Sequence, residues 1–333
     1  MKCQFFGVFP AMKDYLRQHL AGFSISISTD ELTEKNKDKL KPDTEVLGVF
    51  VGSKVDQAVF SRLPRLKLIV TMSTGFDQID IYLAKKKKIP VCNVPTYGEN
   101  TVAEHTLALL LALSRKLFPS VKRVKEGIFN YEGLRGWDLK GRTLGVVGNG
   151  HIGAHVIRMA RGFEMRVLAH DAFPNKKLAD DLGFSYVSLE ELLGESDVVT
   201  LHVPLLKATK HLINKENIKT MKPGAYLINT ARGALVETEA LAWAIESGHL
   251  AGAGLDVLEG EEDLQHPDHL LFERHSAEDI KIALMDNILI DHPNVIITPH
   301  NAFNSAEALE RILAVTIENI KSFAIGKPQN DVT

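Results

Sequence analysis

Cysteine is scarce in this chain. Only Cys3 and Cys92 occur in 333 residues, too few for a disulfide framework or a cysteine zinc site, and they suit a reducing cytosol. No run of about 18 apolar residues is present, so no membrane-spanning helix is expected. The opening stretch, Met1 to Asp14, has an apolar run too short for a signal-peptide core and reads better as a first strand. Charge of one sign is lacking too. A net charge of −3 creates no bulk field for nucleic acid, a membrane surface or a polyanionic partner. There is no repeat and no low-complexity tract. These absences leave an ordinary globular chain, 45% hydrophobic and 24% charged, expected in the cytoplasm and long enough for two domains.

Short β-branched runs alternate with longer helical patterns, which predicts parallel α/β sheets. The first third offers strands at 4–9, 46–51, 67–72 and 89–94. The four lysines 85–88 read as a solvated helix end, where cations complement the helix dipole. Residues 99–125 include a stretch that is apolar nearly all round. That predicts a buried helix joining two domains and helping a homodimer; Glu104 and His105 interrupt it too soon for a membrane span. From Thr143 onward six strands are expected, at 143–147, 165–170, 198–202, 226–229, 252–257 and 295–298, enough for a whole doubly wound domain. Residues 259–292 are acidic and histidine-rich and read as a surface insertion with some helix. An amphipathic helix over 305–325 and a polar tail close the chain.

The strand at 143–147 runs into Gly148-Asn149-Gly150-His151-Ile152-Gly153, and a helical pattern follows at once. Asp171 ends the next strand. A glycine triplet alone is weak evidence; between a strand and a helix, with an acid at that distance, it is the pattern of a dinucleotide site. Gly148 permits the tight turn, Gly150 lets backbone approach a pyrophosphate, and Gly153 lets helix and strand pack closely. The helix N-terminus supplies N–H groups to phosphate. Asp171 would accept hydrogen bonds from the adenosine ribose and repel a 2′-phosphate, which favours NAD over NADP, although Lys176 and Lys177 nearby soften that discrimination.

A nicotinamide enzyme acting on a 2-keto acid needs a cation for the carboxylate and carbonyl, a proton donor for the ketone oxygen, and a group that keeps the donor charged. Arg232, His300 and Glu261 supply those types just past predicted strands, where doubly wound sheets bind ligands. Each has a plainer reading. Arg232 would serve as a turn arginine, Glu261 as one of a solvated run with Glu259, Glu262 and Asp263, and His300 as one structural histidine among 13.

Together the blocks Gly148–Gly153 with Asp171, Leu201-His202-Val203-Pro204, Asn229-Thr230-Ala231-Arg232-Gly233, Gly254 to Glu261, and Thr298-Pro299-His300 resemble the D-isomer-specific 2-hydroxyacid dehydrogenases. The segments Ser73 to Asp80 and Val102-Ala103-Glu104-His105 resemble them too. The resemblance covers essentially the whole chain. The long interval from Glu261 to His300 and the aromatic Phe303 look most like the D-lactate dehydrogenase branch. It implies an α/β fold of two Rossmann-like or flavodoxin-like domains with doubly wound parallel sheets. The NAD-binding domain (99–299) would be inserted into a substrate domain (1–98 plus 300–333), with the active site in the cleft and a homodimeric assembly.

Carried over by the resemblance, Arg232 would bind carboxylate and carbonyl, His300 would be the acid–base, and Glu261 would hydrogen-bond His300 and favour its charged form. His151 and Ile152 would cover the pyrophosphate. Val203 and Pro204 would flank the adenine-side pocket, His202 and Thr209 would also bind the cofactor, and Thr230, Ala231 and Asp256 would contact the nicotinamide half. Thr74 and Gly75 would offer N–H groups to the substrate carboxylate, and Tyr97 and Phe303 would line its pocket. Two departures stand out. Gly98-Glu99-Asn100 follows Tyr97 where many relatives have Ser-Pro, and Phe50 lies near where a tyrosine often faces substrate. Lys54 reads as a surface lysine. His266, His269 and His275 invite a metal reading, but no cysteine partners exist and the family uses no metal, so none is expected. The expected reaction is NADH-dependent reduction of a small 2-keto acid, pyruvate first, to the D-2-hydroxy acid. Hydroxypyruvate or glyoxylate reduction is the near rival. Oxidation of 3-phosphoglycerate would want a cation cluster that is not seen, and formate dehydrogenases carry glutamine where Glu261 stands. An NAD(H)-sensing corepressor-like protein would keep the same residues; an inert structural subunit would not need them.

Overall fold

The computed structural model describes residues 1–261 and 276–333. The chain divides into two compact units, Met1–Tyr97 with Asn304–Thr333, and Gly98–Phe303. No helix among the described residues is long and apolar enough to cross a membrane.

The first unit holds a parallel sheet of β1 (Lys2–Phe5), β2 (Ser24–Ile27), β3 (Val46–Val49), β4 (Leu68–Thr71) and β5 (Val91–Cys92), in the order β2-β1-β3-β4-β5. That is the flavodoxin-like order, which makes this sheet doubly wound. All of β3 and β4 is buried, as expected of parallel strands covered on both faces, and their continuous apolar runs made them legible. Edge strand β2 was not expected; its Ser-Ile-Ser-Ile run dilutes the apolar signal. Helices α1 (Lys13–His19), α2 (Gln57–Arg62) and α3 (Ile81–Lys87) connect the strands. Asp56 caps α2 by accepting from the N–H groups of Ala58 and Val59, and Asp80 caps α3 through Leu83 N–H. Lys85 to Lys87 end α3, Lys88 caps it in the left-handed conformation, and all four are exposed. The C-terminal helix Ala306–Ala324 joins this unit, where Asn319 Nδ2 donates to Asn93 O (2.8 Å).

In the second unit, the single helix expected over 99–125 is two: α4 (Glu99–Ser114) and α5 (Leu117–Lys125). The break falls at Lys116, at φ +48°. Most of α4 is buried, whereas α5 buries nothing and exposes Leu117, Phe118, Val121 and Val124. Strands β6 (Thr143–Val147), β7 (Arg166–His170), β8 (Ser185–Tyr186), β9 (Val198–Leu201), β10 (Ala225–Asn229), β11 (Leu250–Leu255) and β12 (Val295–Ile297) pair in parallel, in the order β12-β11-β10-β9-β6-β7-β8. Seven strands replace the six expected, because two-residue β8 is too short to show a period. The order is the dinucleotide-binding one with a further edge strand, and its switch point lies between β6 and β9. Helices α6 (His151–Gly162), α7 (Lys176–Leu182), α8 (Leu189–Glu195) and α9 (Thr238–Glu246) connect these strands. The described part of the insertion is α10 (Ala277–Asp291), started by a Ser276–Asp279 capping box. His266, His269 and His275 lie outside the described residues. His300 to Phe303 group with this unit rather than with the C-terminal helix, because residues 300–302 are hydrogen-bonded to Asp256.

Candidate active site and dinucleotide cradle

Buried β6 delivers the chain to Gly148, at φ +90°, whose N–H donates to His170 O (2.8 Å). A Cβ there would stand 2.7 Å from Val203 Cγ1 and 2.8 Å from the His202 carbonyl. A Cβ on Gly153 would lie 2.0 Å from Gly148 O, so only glycine lets α6 rest on the turn. At Gly150, the N-cap, a Cβ would meet nothing within 4 Å, and no side chain caps the helix. The result is an open, uncapped helix N-terminus behind a tight turn, a cradle that fits a pyrophosphate. His151 and Ile152 form its first turn.

Asp171 lies at the end of β7, its Oδ2 accepting from Asn149 N–H (2.9 Å) and its Oδ1 from Phe173 N–H (2.8 Å). The carboxylate is thus held beside the glycine turn, with lone pairs left for ribose hydroxyls. Lys176 and Lys177 open α7 and are exposed. Beyond β9, His202 N–H donates to Val147 O (2.7 Å), and the ring Nε2 lies 2.9 Å from Thr200 Oγ1. Burial pushes the His202 imidazole down to about 3, so it is neutral. Thr209 Oγ1 donates to Pro204 O (2.6 Å) and accepts from Leu206 N–H (2.8 Å), which shapes the loop after Pro204.

Past β10, Asn229 builds the loop that carries Arg232: its Oδ1 accepts from Ala231 N–H (3.1 Å) and its Nδ2 donates to Arg232 O (2.9 Å). Arg232 Nη1 donates to Ala231 O (2.8 Å). Thr230 is buried, its hydroxyl 2.9 Å from that of Thr106 on α4. Past β11, Asp256 is 1% exposed, and its two oxygens accept from the Thr298 hydroxyl and from the N–H groups of Asn301 and Ala302 (2.8 Å each). Its carbonyl accepts from His300 N–H (2.8 Å). His300, at φ +49°, points Nδ1 at Glu261 Oε1, 2.9 Å away. The structure therefore brings Glu261 and His300 together and sets Arg232 at the same carboxyl-terminal edge of the sheet, one strand over.

The remaining candidates belong to other segments. Thr74 and Gly75 follow β4; Thr74 Oγ1 donates to Val94 O (2.9 Å) and Ser73 Oγ donates to Gly75 O (2.7 Å). Tyr97 ends the first unit's leading segment and Phe303 ends the second unit. Phe50 is buried, edge-on to Phe9 with ring centroids 5.4 Å apart, and Lys54 is exposed. Among the described residues no cluster of three histidine, cysteine or acidic side chains forms a metal site.

Two groups had been given no role in the site from the sequence. His105 reaches Thr298, its Nε2 3.0 Å from Thr298 Oγ1. Glu259, read as part of a solvated run, is instead an anchor. Its Oε1 lies 2.6 Å from His211 Nε2, and its Oε2 accepts from the Thr238 hydroxyl (3.0 Å) at the start of α9. No local spacing flags a pair whose members are 48 positions apart.

A family model described as "D-isomer specific 2-hydroxyacid dehydrogenase, NAD binding domain" matches residues 107–302. The chain is 35% identical to the D-lactate dehydrogenase of Escherichia coli, covering 95% of this chain and 94% of that protein. It is 36% identical to a glyoxylate reductase of Pyrococcus furiosus, covering 88% and 83%. Among solved structures, a D-lactate dehydrogenase from Aquifex aeolicus, complexed with NAD and lactic acid, superposes with a TM-score of 0.87 at 39% identity, over 97% of this chain and 96% of that one. The chain belongs to the D-isomer-specific 2-hydroxyacid dehydrogenases. Its second unit carries their NAD-binding domain, and the cofactor is NAD.

Proposed function

We propose that this chain reduces a small 2-keto acid, pyruvate first, to the D-2-hydroxy acid, reversibly, with NADH preferred over NADPH. The observation that carries the reading is the His300–Glu261 pair at 2.9 Å. Carboxylate Glu261 only accepts, so His300 Nδ1 bears a hydrogen and Nε2 is the atom that exchanges a proton with substrate. Bound NADH supplies hydride to the carbonyl carbon. His300 Nε2–H gives its proton to the ketone oxygen, and Glu261 stabilises the imidazolium before that transfer. Arg232 holds the carboxylate and polarises the carbonyl. Thr74 and Gly75 offer N–H groups to the substrate carboxylate, Tyr97 and Phe303 shape the side-chain pocket, and Asp256 with Thr230 and Ala231 meets the nicotinamide half. Glyoxylate and hydroxypyruvate are the alternative substrates, supported by the glyoxylate reductase relative.

The working form is proposed to be a cytoplasmic homodimer, supported by the unburied apolar face of α5 and by two free, buried cysteines. The test is NADH consumption against pyruvate, 2-ketobutyrate, phenylpyruvate, hydroxypyruvate and glyoxylate, with His300→Ala in parallel. The variant is expected to lose roughly 10²–10⁴ in kcat while still binding NADH. Normal turnover by it would remove His300 from the reaction. A wild-type preference for a bulkier acid would move the substrate and leave the chemistry standing.

A further inference from the structure

We infer that His105, on helix α4, is a positioning residue for His300, acting through Thr298 and Asp256. The inference rests on His300 being the acid–base group proposed above. His300 adopts φ +49°, a region that side-chain-bearing residues avoid, so its surroundings must hold it there. The holder is Asp256, whose carbonyl and carboxylate take the N–H groups of His300, Asn301 and Ala302.

Asp256 is itself oriented. The Thr298 hydroxyl has one hydrogen, and it goes to Asp256 Oδ1, which can only accept. The Thr298 oxygen must therefore accept at its other contact, His105 Nε2 at 3.0 Å. That assigns the His105 tautomer: Nε2 carries hydrogen. The same nitrogen stands 3.5 Å from Asp256 Oδ1, with Asp256 only 1% exposed on its side chain and His105 21%. A directional chain thus runs from His105 Nε2–H to the Thr298 hydroxyl, to the Asp256 carboxylate, to the backbone that sets His300 against Glu261.

In this chain of bonds only Asp256 is placed against the cofactor; His105 and Thr298 are not. The output of these bonds is the direction of the His300 ring. The next residue on α4, Thr106, is tied to Thr230, two positions before Arg232. One turn of a buried helix therefore anchors both the acid–base loop and the loop of the cation.

The test compares His105→Leu, which removes the donor, with His105→Gln, whose amide places an N–H near the position of Nε2. NADH affinity, kcat and the pH midpoint of kcat/KM are read for each. His105→Leu is expected to lower kcat by roughly 10–10²-fold, the cost of a misplaced group, to displace the pH midpoint, and to leave the NADH Kd unchanged. His105→Gln is expected to restore kcat and midpoint. Thr298→Val breaks the same chain one bond later, so its loss should match that of His105→Leu, and the double variant should lose no more than either alone. That cycle also serves if His105→Leu folds poorly. Wild-type kcat and pH midpoint in both breaking variants, equal failure of Leu and Gln at position 105, or additive losses would each overturn the inference. Full activity in His300→Ala would overturn the acid–base reading as well, whereas a dead His300→Ala beside an intact His105→Leu would sink this inference alone.

Discussion

Gly153→Ala adds one methyl group at the most constrained point of the dinucleotide cradle. The new Cβ would sit 2.0 Å from Gly148 O and 3.0 Å from Gly148 C, where ordinary contact begins at 3.4 Å. The obstacle is backbone, so no side chain can rotate away. Helix α6 and the glycine turn must separate by more than an ångström. Alanine's better helix propensity returns about 1 kcal/mol, against about 1–3 kcal/mol for forcing a methyl into packed space, so a stability loss of up to roughly 2 kcal/mol is expected. The larger effect falls on NADH. A shift of that size detaches at least one N–H from a charged phosphate oxygen, a bond contributing about 1.5–3 kcal/mol, which is roughly 10–10²-fold in Kd. NADH titration by fluorescence and a thermal melt read both effects. Gly150→Ala supplies the contrast. Its Cβ meets nothing within 4 Å and stands in the open space before the helix, so it should leave Tm unchanged and weaken NADH alone. An unchanged NADH Kd in Gly153→Ala would refute the argument that this packing builds the cradle.

Two further outcomes are expected. Asp171→Ala removes an acceptor held beside the glycine turn; kcat/KM with NADH should fall roughly tenfold, one hydrogen-bonded charge, and the preference over NADPH should narrow, so an unaltered cofactor ratio would show that Asp171 does not discriminate. The second concerns acid stability. Burial holds the His202 imidazole at about 3 when folded, against 6.5 unfolded. Between those values the unfolded chain binds a proton that the folded chain refuses, so this contribution to stability, full above 6.5, is lost as pH falls towards 3. His202→Gln should therefore lose less stability than wild type between neutral pH and pH about 5 in urea melts; equal losses would mean the ring is not buried neutral.

The strands that sequence reasoning located are those whose burial writes itself into composition. β3, β4, β6 and β9 are buried at every position, so each is a continuous apolar run bounded by turn residues. β2 and β8 are edge strands of four and two residues, and an edge strand needs neither the length nor the two-sided burial that make a pattern. The break between α4 and α5 has a local mark that went unread. It occurs at Lys116 in a left-handed conformation, three residues before Pro119, which has no N–H to bond Arg115 O and whose ring would crowd that carbonyl in a continuous helix. Ser114 O accepts instead from Trp137 N–H (2.9 Å).

The site divides along the same line. The glycine turn was legible because one segment of chain makes it, and the residue types follow from clearances within the six positions Gly148 to Gly153. The loop from Glu259 to Glu261 was legible only through the resemblance, which paired Glu261 with His300; no spacing pairs Glu259 with His211. Glu259 spends both oxygens on His211 and Thr238, with a side chain 10% exposed, so it stitches two loops together. Glu261 is 29% exposed and meets a histidine whose own backbone is held in a strained conformation by Asp256. A strained residue persists only where its surroundings over-determine it. Backbone strain does not choose between the pairs, since His211 stands at φ +50° and His300 at φ +49°; the more exposed carboxylate of Glu261, beside the loop of Arg232 at the carboxyl-terminal edge of the sheet, is the ground on which His300 with Glu261, and not His211 with Glu259, is proposed as the pair that moves a proton.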